Sequence, residues 1–90
     1  MSSAKTFEDL YAELSAKVAA GDPTSSTVKR VEAGVHEIGK KIVEEAAEVW
    51  MGAEFQTTDD AALEISQLIY HLQVLMLASG IEPSDVYTHL

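Results

Sequence analysis

From Leu63 to Leu77 the apolar residues leave no clean solvent face, because Leu63, Ile65, Leu68, Ile69, Leu72, Val74, Leu75, Met76 and Leu77 spread around the whole circumference of a helix. Such a helix must be covered on all sides, so it is central to its own domain or is packed between that domain and a second subunit. One polar line runs through it: Asp60, Glu64, Gln67 and His71 are spaced four, three and four. Burying that line without a purpose is costly. The pattern predicts a turn over Gln56 to Asp60, a cap at Thr58 or Asp59, and a helix running to Ser79 that Gly80 ends.

The rest of the chain is helical by the same criteria. Thr6 followed by Asp9 resembles a capping box, and Phe7, Leu10, Tyr11, Leu14 and Val18 recur at helical spacing, predicting a helix from Phe7 to Ala20. Gly21 and Pro23 then break the chain into a hydroxyl-rich loop. A short helix fits between Thr27 and Ala33, and Gly34 separates it from a long one over Val35 to Phe55. In that long helix Val35, Ile38, Ile42, Ala46, Val49 and Ala53 form an apparent core stripe. Pro83 opens a short last helix. No internal repeat or linker divides the sequence. The expected architecture is all-α, four to five helices in one domain over residues 1–90, with the bundle completed by homodimerisation.

Ninety residues bury a smaller share of their surface than a longer chain does, which is one reason to expect a partner subunit. The chain has no cysteine, so neither a disulfide framework nor a zinc–cysteine site supplements the core. Six basic against fifteen acidic residues give a formal charge of −9. That balance repels nucleic acid and anionic membrane surfaces, so neither is an expected partner. Lys5, Glu8, Asp9, Glu13 and Lys17 interrupt the first twenty residues, unlike the apolar middle of a signal peptide, and the expected location is cytoplasmic. The most apolar run, Leu68 to Ala78, contains His71 and Gln73 and is shorter than the roughly 20 residues a bilayer span requires. It reads as a buried helix.

The acidic residues themselves are patterned. Glu45 and Glu48 share a helix face, as do Glu64 and Gln67, and at 100° per residue Lys41, Glu45 and Glu48 fall within a wedge of roughly 60° beside the apolar stripe. One reading is a solvated face with Lys40 and Lys41 paired to Glu44 and Glu45. The other is an oxygen site for a hard cation between two facing helices, for which Mg²⁺ suits the ligands better than Zn²⁺. A di-iron bundle site lacks its main signature, since no Glu is followed three residues later by His. Lys40 and Lys41 either meet phosphate or pair with nearby Glu. His71 either touches a substrate or is a hydrogen-bonded core residue, and Trp50 and Met51 either stack on a base or pack against another helix. No phosphate-binding loop, dinucleotide fingerprint or calcium loop is present. A polyphosphate ligand would therefore need divalent cations between itself and these carboxylates.

The run Glu44-Glu45-Ala46-Ala47-Glu48 followed by Glu64-Ile65-Ser66-Gln67 resembles the Glu-Glu-x-x-Glu and Glu-x-x-Asp pattern of the all-α NTP pyrophosphatases. With Gly39-Lys40-Lys41, Leu68-Ile69-Tyr70-His71 and the chain length added, it is most similar to the phosphoribosyl-ATP pyrophosphatase family over Thr6 to Leu90. The resemblance implies Mg²⁺-dependent hydrolysis of phosphoribosyl-ATP to phosphoribosyl-AMP and pyrophosphate, the second step of histidine biosynthesis, in a homodimer. It further implies Glu45, Glu48 and Glu64 as metal ligands, Glu44 as the residue acting on the attacking water, and Lys40, Lys41 and His71 as substrate contacts. Gln67 stands where the pattern has Asp; its amide oxygen can ligate but brings no charge. The alternatives are a house-cleaning nucleoside triphosphate pyrophosphatase and a non-catalytic acidic helical dimerisation module.

Overall fold

In the computed structural model, which describes residues 4–90, most helix ends fall at an identifiable local signal. Residues 1–3, part of the expected domain span, lie outside the described residues. Helix α1 spans Phe7–Ala20: the Thr6 hydroxyl accepts from the Asp9 backbone N–H, the Asp9 carboxylate accepts from the Thr6 N–H, and Gly21 ends the helix at φ 67°. Helix α2 spans Ser26–Ala33, one residue longer than expected because Ser25 caps it. Gly34, at φ 99°, lets the chain turn directly into α3, Val35–Phe55. Helix α4 spans Thr58–Ser79 and α5 spans Pro83–Tyr87 with Pro83 in its first turn. Among the described residues there is no strand. The all-α expectation holds.

The α3–α4 turn is shorter than the sequence suggested. Its cap is Thr57, not Thr58 or Asp59: the Thr57 hydroxyl accepts from the Asp60 N–H, and the Asp60 carboxylate accepts from the Thr57 N–H and hydroxyl. This box draws Thr58 to Asp60 into the helix and explains Asp60 locally, removing it from the polar line.

So short a turn makes α3 and α4 antiparallel neighbours, and their contact is the main packing interaction of the chain. Gly52 is buried in it, and a Cβ there would stand 3.3 Å from the Ala61 Cα and 3.6 Å from the Glu64 Cγ. At the other end of the seam Glu45 faces His71. The face of α3 that turns inward therefore follows Ile38, Glu45 and Gly52, seven residues apart each time. The expected stripe is corrected accordingly: Ile38 is buried, but Val35, Ala46 and Ala53 are exposed. Those positions lie on the flank of a helix whose inner face is set by the close approach at Gly52.

Around this pair the small core is made by Leu14, Val28, Ile38, Val74 and Met76. Helix α1 is tied across it by polar contacts to the end of the chain: the Gln73 amide donates to the Phe7 carbonyl at 2.9 Å, the Tyr11 hydroxyl to the Ile81 carbonyl at 3.0 Å, and the Tyr87 hydroxyl to Glu8. Gln73 is fully buried. Its other polar atom, Oε1, has no partner among the described residues. By length and composition α4 is also the one described helix apolar enough to cross a membrane, yet it carries Glu64, Gln67, His71 and Gln73 along its length.

Two glycines of α3 predict opposite outcomes. Gly39 has open space around the position of a Cβ, so Gly39→Ala should gain about 1 kcal/mol of helix propensity and raise Tm by roughly 4–8 °C. Gly52→Leu must push α4 away and should cost about 1–3 kcal/mol, lowering Tm. Thermal unfolding at one fixed protein concentration measures both.

Candidate active site

Along the α3–α4 seam the carboxylates are ordered by helix geometry. Glu45 sits opposite His71, with 3.8 Å between its Oε1 and the His71 Nε2, while the Glu64 stem lies over Gly52. Seven residues of helix, about 10 Å of rise, separate Glu45 from Gly52, and Glu48 lies between them. The Glu45 side chain is only 14% exposed. Its two charged or titratable neighbours, Lys41 and His71, both stand 3.8 Å away, beyond hydrogen-bond reach. Glu64 is half-buried, whereas Glu48 and Gln67 are exposed.

The carboxylate donors of this seam fit a hard divalent cation. Among the described residues no three acidic or imidazole side chains form a cluster able to hold a metal alone. Such a seam suits an ion that takes one or two carboxylates and completes its shell with waters and substrate phosphates, as Mg²⁺ does, better than an all-protein cage.

Lys41 connects the carboxylates to a second feature. Its Nζ is 3.4 Å from the Glu44 carboxylate and 3.8 Å from Glu45, so it sits at the inner edge of the wedge, as the spacing suggested. Lys40 turns outward and pairs with Glu37 at 3.1 Å, an exposed pair worth about 0–1 kcal/mol. Beyond Lys41 opens a cleft of about 410 Å³ between α2, α3 and α4, lined by Ser26, Lys29 and Arg30 from α2, by Glu37 and Lys41 from α3, and by His71 from α4.

His71 is the floor of that cleft and is buried. Burial first, and the Arg30 charge second, hold its imidazole below the usual histidine range, with Glu45 opposing them. Its ring packs edge-on against Tyr70. Tyr70 is itself fixed by a 2.7 Å hydrogen bond with Thr27, a buried hydroxyl, and it carries the Arg30 guanidinium 5.9 Å above its ring. The His71 Nδ1 and the Arg30 Nε are buried without a hydrogen-bond partner among the described residues.

The sequence profile of the phosphoribosyl-ATP pyrophosphohydrolase family matches residues 7–90. The chain belongs to that family. It is 63% identical over 89 residues to the phosphoribosyl-ATP pyrophosphatase of Streptomyces coelicolor, covering 98% of this chain and 99% of the relative. The protein of the same name from Streptomyces avermitilis is also 63% identical, with the same coverage, and that from Salinibacter ruber is 58% identical over 86 residues, 96% of this chain and 99% of the relative. These relatives are hydrolases, and the enzyme class that the family resemblance implied stands.

In this family member Glu45, Glu64, Lys41 and His71, which the spacing singles out, lie on or beside one seam, whereas Ser26, Lys29 and Arg30 line the cleft without any such spacing. The available signal was the run Ser25-Ser26-Thr27-Val28-Lys29-Arg30, a hydroxyl-rich helix start followed by two of only six basic residues. Trp50 is 69% exposed and its indole N–H donates to Glu54 at 2.6 Å, on the side of α3 away from the cleft. Base stacking by Trp50 within this subunit's cleft is therefore not what the geometry offers.

In metal-free protein the His71 imidazole should titrate below 6.5, and in Glu45→Gln lower still, because the one nearest charge that favours protonation is gone. A group with a depressed folded-state pKa leaves the unfolded chain binding more protons. Its contribution to stability is complete above the unfolded value and is lost as pH falls through 6.5 towards the folded value. Imidazole NMR titration of the wild type and the variant checks both shifts.

Proposed function

We propose that this chain hydrolyses phosphoribosyl-ATP between its α and β phosphates, releasing pyrophosphate and phosphoribosyl-AMP in the second step of histidine biosynthesis. Mg²⁺ is the proposed cofactor, a homodimer the working form and the cytoplasm its location. The observation that supports the reading is Glu45 opposite His71 and the Glu64 stem over Gly52 on the α3–α4 seam, beside a cleft lined by Lys29, Arg30 and Lys41, in a chain similar over 98% of its length to a phosphoribosyl-ATP pyrophosphatase.

Glu45, Glu48 and Glu64 are the residues that would hold Mg²⁺, with Gln67 contributing a neutral oxygen directly or through a water. When bound, the ion supplies neutralisation of phosphate oxygens and a lowered pKa for water. The remaining roles belong to the protein. Glu44, 67% exposed and tethered by Lys41, can orient or deprotonate the attacking water from the rim of the seam. Lys41 and His71 border the path of the phosphate chain, and Lys40 must leave Glu37 to reach it.

The homodimer has a physical motive. Val43 and Trp50 are 71% and 69% exposed on the side of α3 opposite its contact with α4, and Phe55, Leu63 and Ile65 are exposed near the turn. A second copy of this chain would cover such surface.

Purified protein should release pyrophosphate from phosphoribosyl-ATP with saturable dependence on Mg²⁺. Glu45→Gln, Glu48→Gln and Glu64→Gln should each lower kcat/KM by about 100-fold or more, ~2.7 kcal/mol of transition-state stabilisation. Faster turnover of an ordinary nucleoside triphosphate would transfer the enzyme to the house-cleaning class. Unchanged turnover in all three folded variants would remove the site altogether.

A further inference from the structure

A chain with fifteen acidic residues and six basic ones directs three of those six, Lys29, Arg30 and Lys41, into a single cleft. Its one lining carboxylate, Glu37, is already paired with Lys40. Excess positive charge there is poorly explained by folding, because like charges gathered in a cleft repel. Two polar atoms point the same way: the His71 Nδ1, in a residue 3% exposed, and the Arg30 Nε are both buried without partners among the described residues. The cleft's size is in the range of small-ligand pockets.

The cleft and the carboxylate seam would treat phosphate differently. Beside Glu45, Glu48 and Glu64 a phosphate is repelled unless a divalent cation intervenes. Beside Lys29, Arg30 and Lys41 it is attracted directly, and two uncompensated positive charges balance one phosphomonoester dianion. The two places are separated along α3 by one to two helical turns, on the order of 5–10 Å. Phosphoribosyl-ATP carries phosphate of both kinds: a triphosphate, whose anhydride is cut, and a 5-phosphate on its second ribose.

We infer that the cleft between α2, α3 and α4 is a phosphomonoester subsite that receives the ribose 5-phosphate of the substrate, with Arg30 as its anchor and Lys29 and Lys41 on either side. The inference rests on the proposed function and adds what separates phosphoribosyl-ATP from ATP: the distal phosphate has a built, metal-free site. Arg30 suits the role because its guanidinium lies over the Tyr70 ring, which the Thr27 hydrogen bond holds in place. A planar fork held in advance gives bidentate recognition of phosphate that a free lysine does not.

The test separates KM from kcat with phosphoribosyl-ATP at saturating Mg²⁺, and measures competitive inhibition by ribose 5-phosphate. Arg30→Met should raise KM by about 10- to 100-fold, change kcat by less than about threefold, and weaken ribose 5-phosphate inhibition in the same proportion as KM. Arg30→Lys should recover part of the loss. Lys29→Met, at an exposed position that does not endanger folding, should raise KM several-fold, about 3–10 times, and steepen none of the Mg²⁺ dependence. Unchanged KM and inhibition in Arg30→Met and Lys29→Met, with wild-type turnover intact, overturn the subsite and leave the proposed function standing. Loss in kcat rather than KM overturns it too, since the cations would then act on the anhydride. If the wild type does not hydrolyse phosphoribosyl-ATP at all, the proposed function has failed, and calorimetric titration with ribose 5-phosphate decides the cleft alone: binding lost in Arg30→Met supports a phosphomonoester site, and no binding to the wild type ends it.

Discussion

The close approach of α3 to α4 is the constraint on which the rest of the molecule depends. Gly52 removes the side chain that would hold the two backbones apart, and the Thr57 box shortens the turn so that the helices separate no further. With the spacing fixed at that end, the residues seven and fourteen positions back along α3, Glu45 and Ile38, are committed to the interior. Ile38 is at home there. Glu45 is not, and its partial burial opposite His71 is a local cost to the fold. Sites that violate the packing rules while the surroundings obey them are where function is expected.

Electrostatics then divide the seam into two regions. Toward the turn, Glu45, Glu48 and Glu64 concentrate negative charge, and toward the start of α3 the cleft concentrates positive charge from α2. Lys41 stands between them, touching Glu44 and Glu45 on one side and lining the cleft on the other. At the same boundary burial and Arg30 outweigh Glu45 and lower the His71 pKa. In the proposed function, a polyphosphate lying along such a gradient would have a direction imposed on it, which would position the bond to be broken without any dedicated loop.

Most of the architecture was legible because capping chemistry is local. Thr6 with Asp9, Gly21, Gly34, Gly80 and Pro83 fix helix ends through contacts within four residues, and those boundaries agree with the structure. The face of α3 was less legible. Periodicity selects the most apolar stripe, but the inward face was decided by a glycine 3.3 Å from a neighbouring backbone, and a missing side chain carries no hydropathy. Glu45, Glu64, Lys41 and His71 could be singled out as candidates because they stand at three- and four-residue spacings on two helices. Arg30 could not, since it is forty-one positions from His71 and meets it only through the packing of α2 on α4. Gln73 was opaque for the same reason: its carbonyl partner is Phe7.

In the proposed homodimer the outward apolar residues would bear on catalysis as well as on assembly. Among the described residues the buried apolar core is five side chains, so the seam that holds Glu45 and His71 has little apolar mass behind it. Val43 and Trp50 lie on the back of the same helix whose front carries the carboxylates. A second copy seated against them would restrain α3 from outside at the level of Glu45 and Glu48, adding the rigidity that a half-buried carboxylate needs to keep its geometry. In the proposed homodimer the acidic seam and the subunit contact are two faces of one helix, so a substitution at Trp50 would reach the active site through the tilt of α3 and not through any contact with substrate.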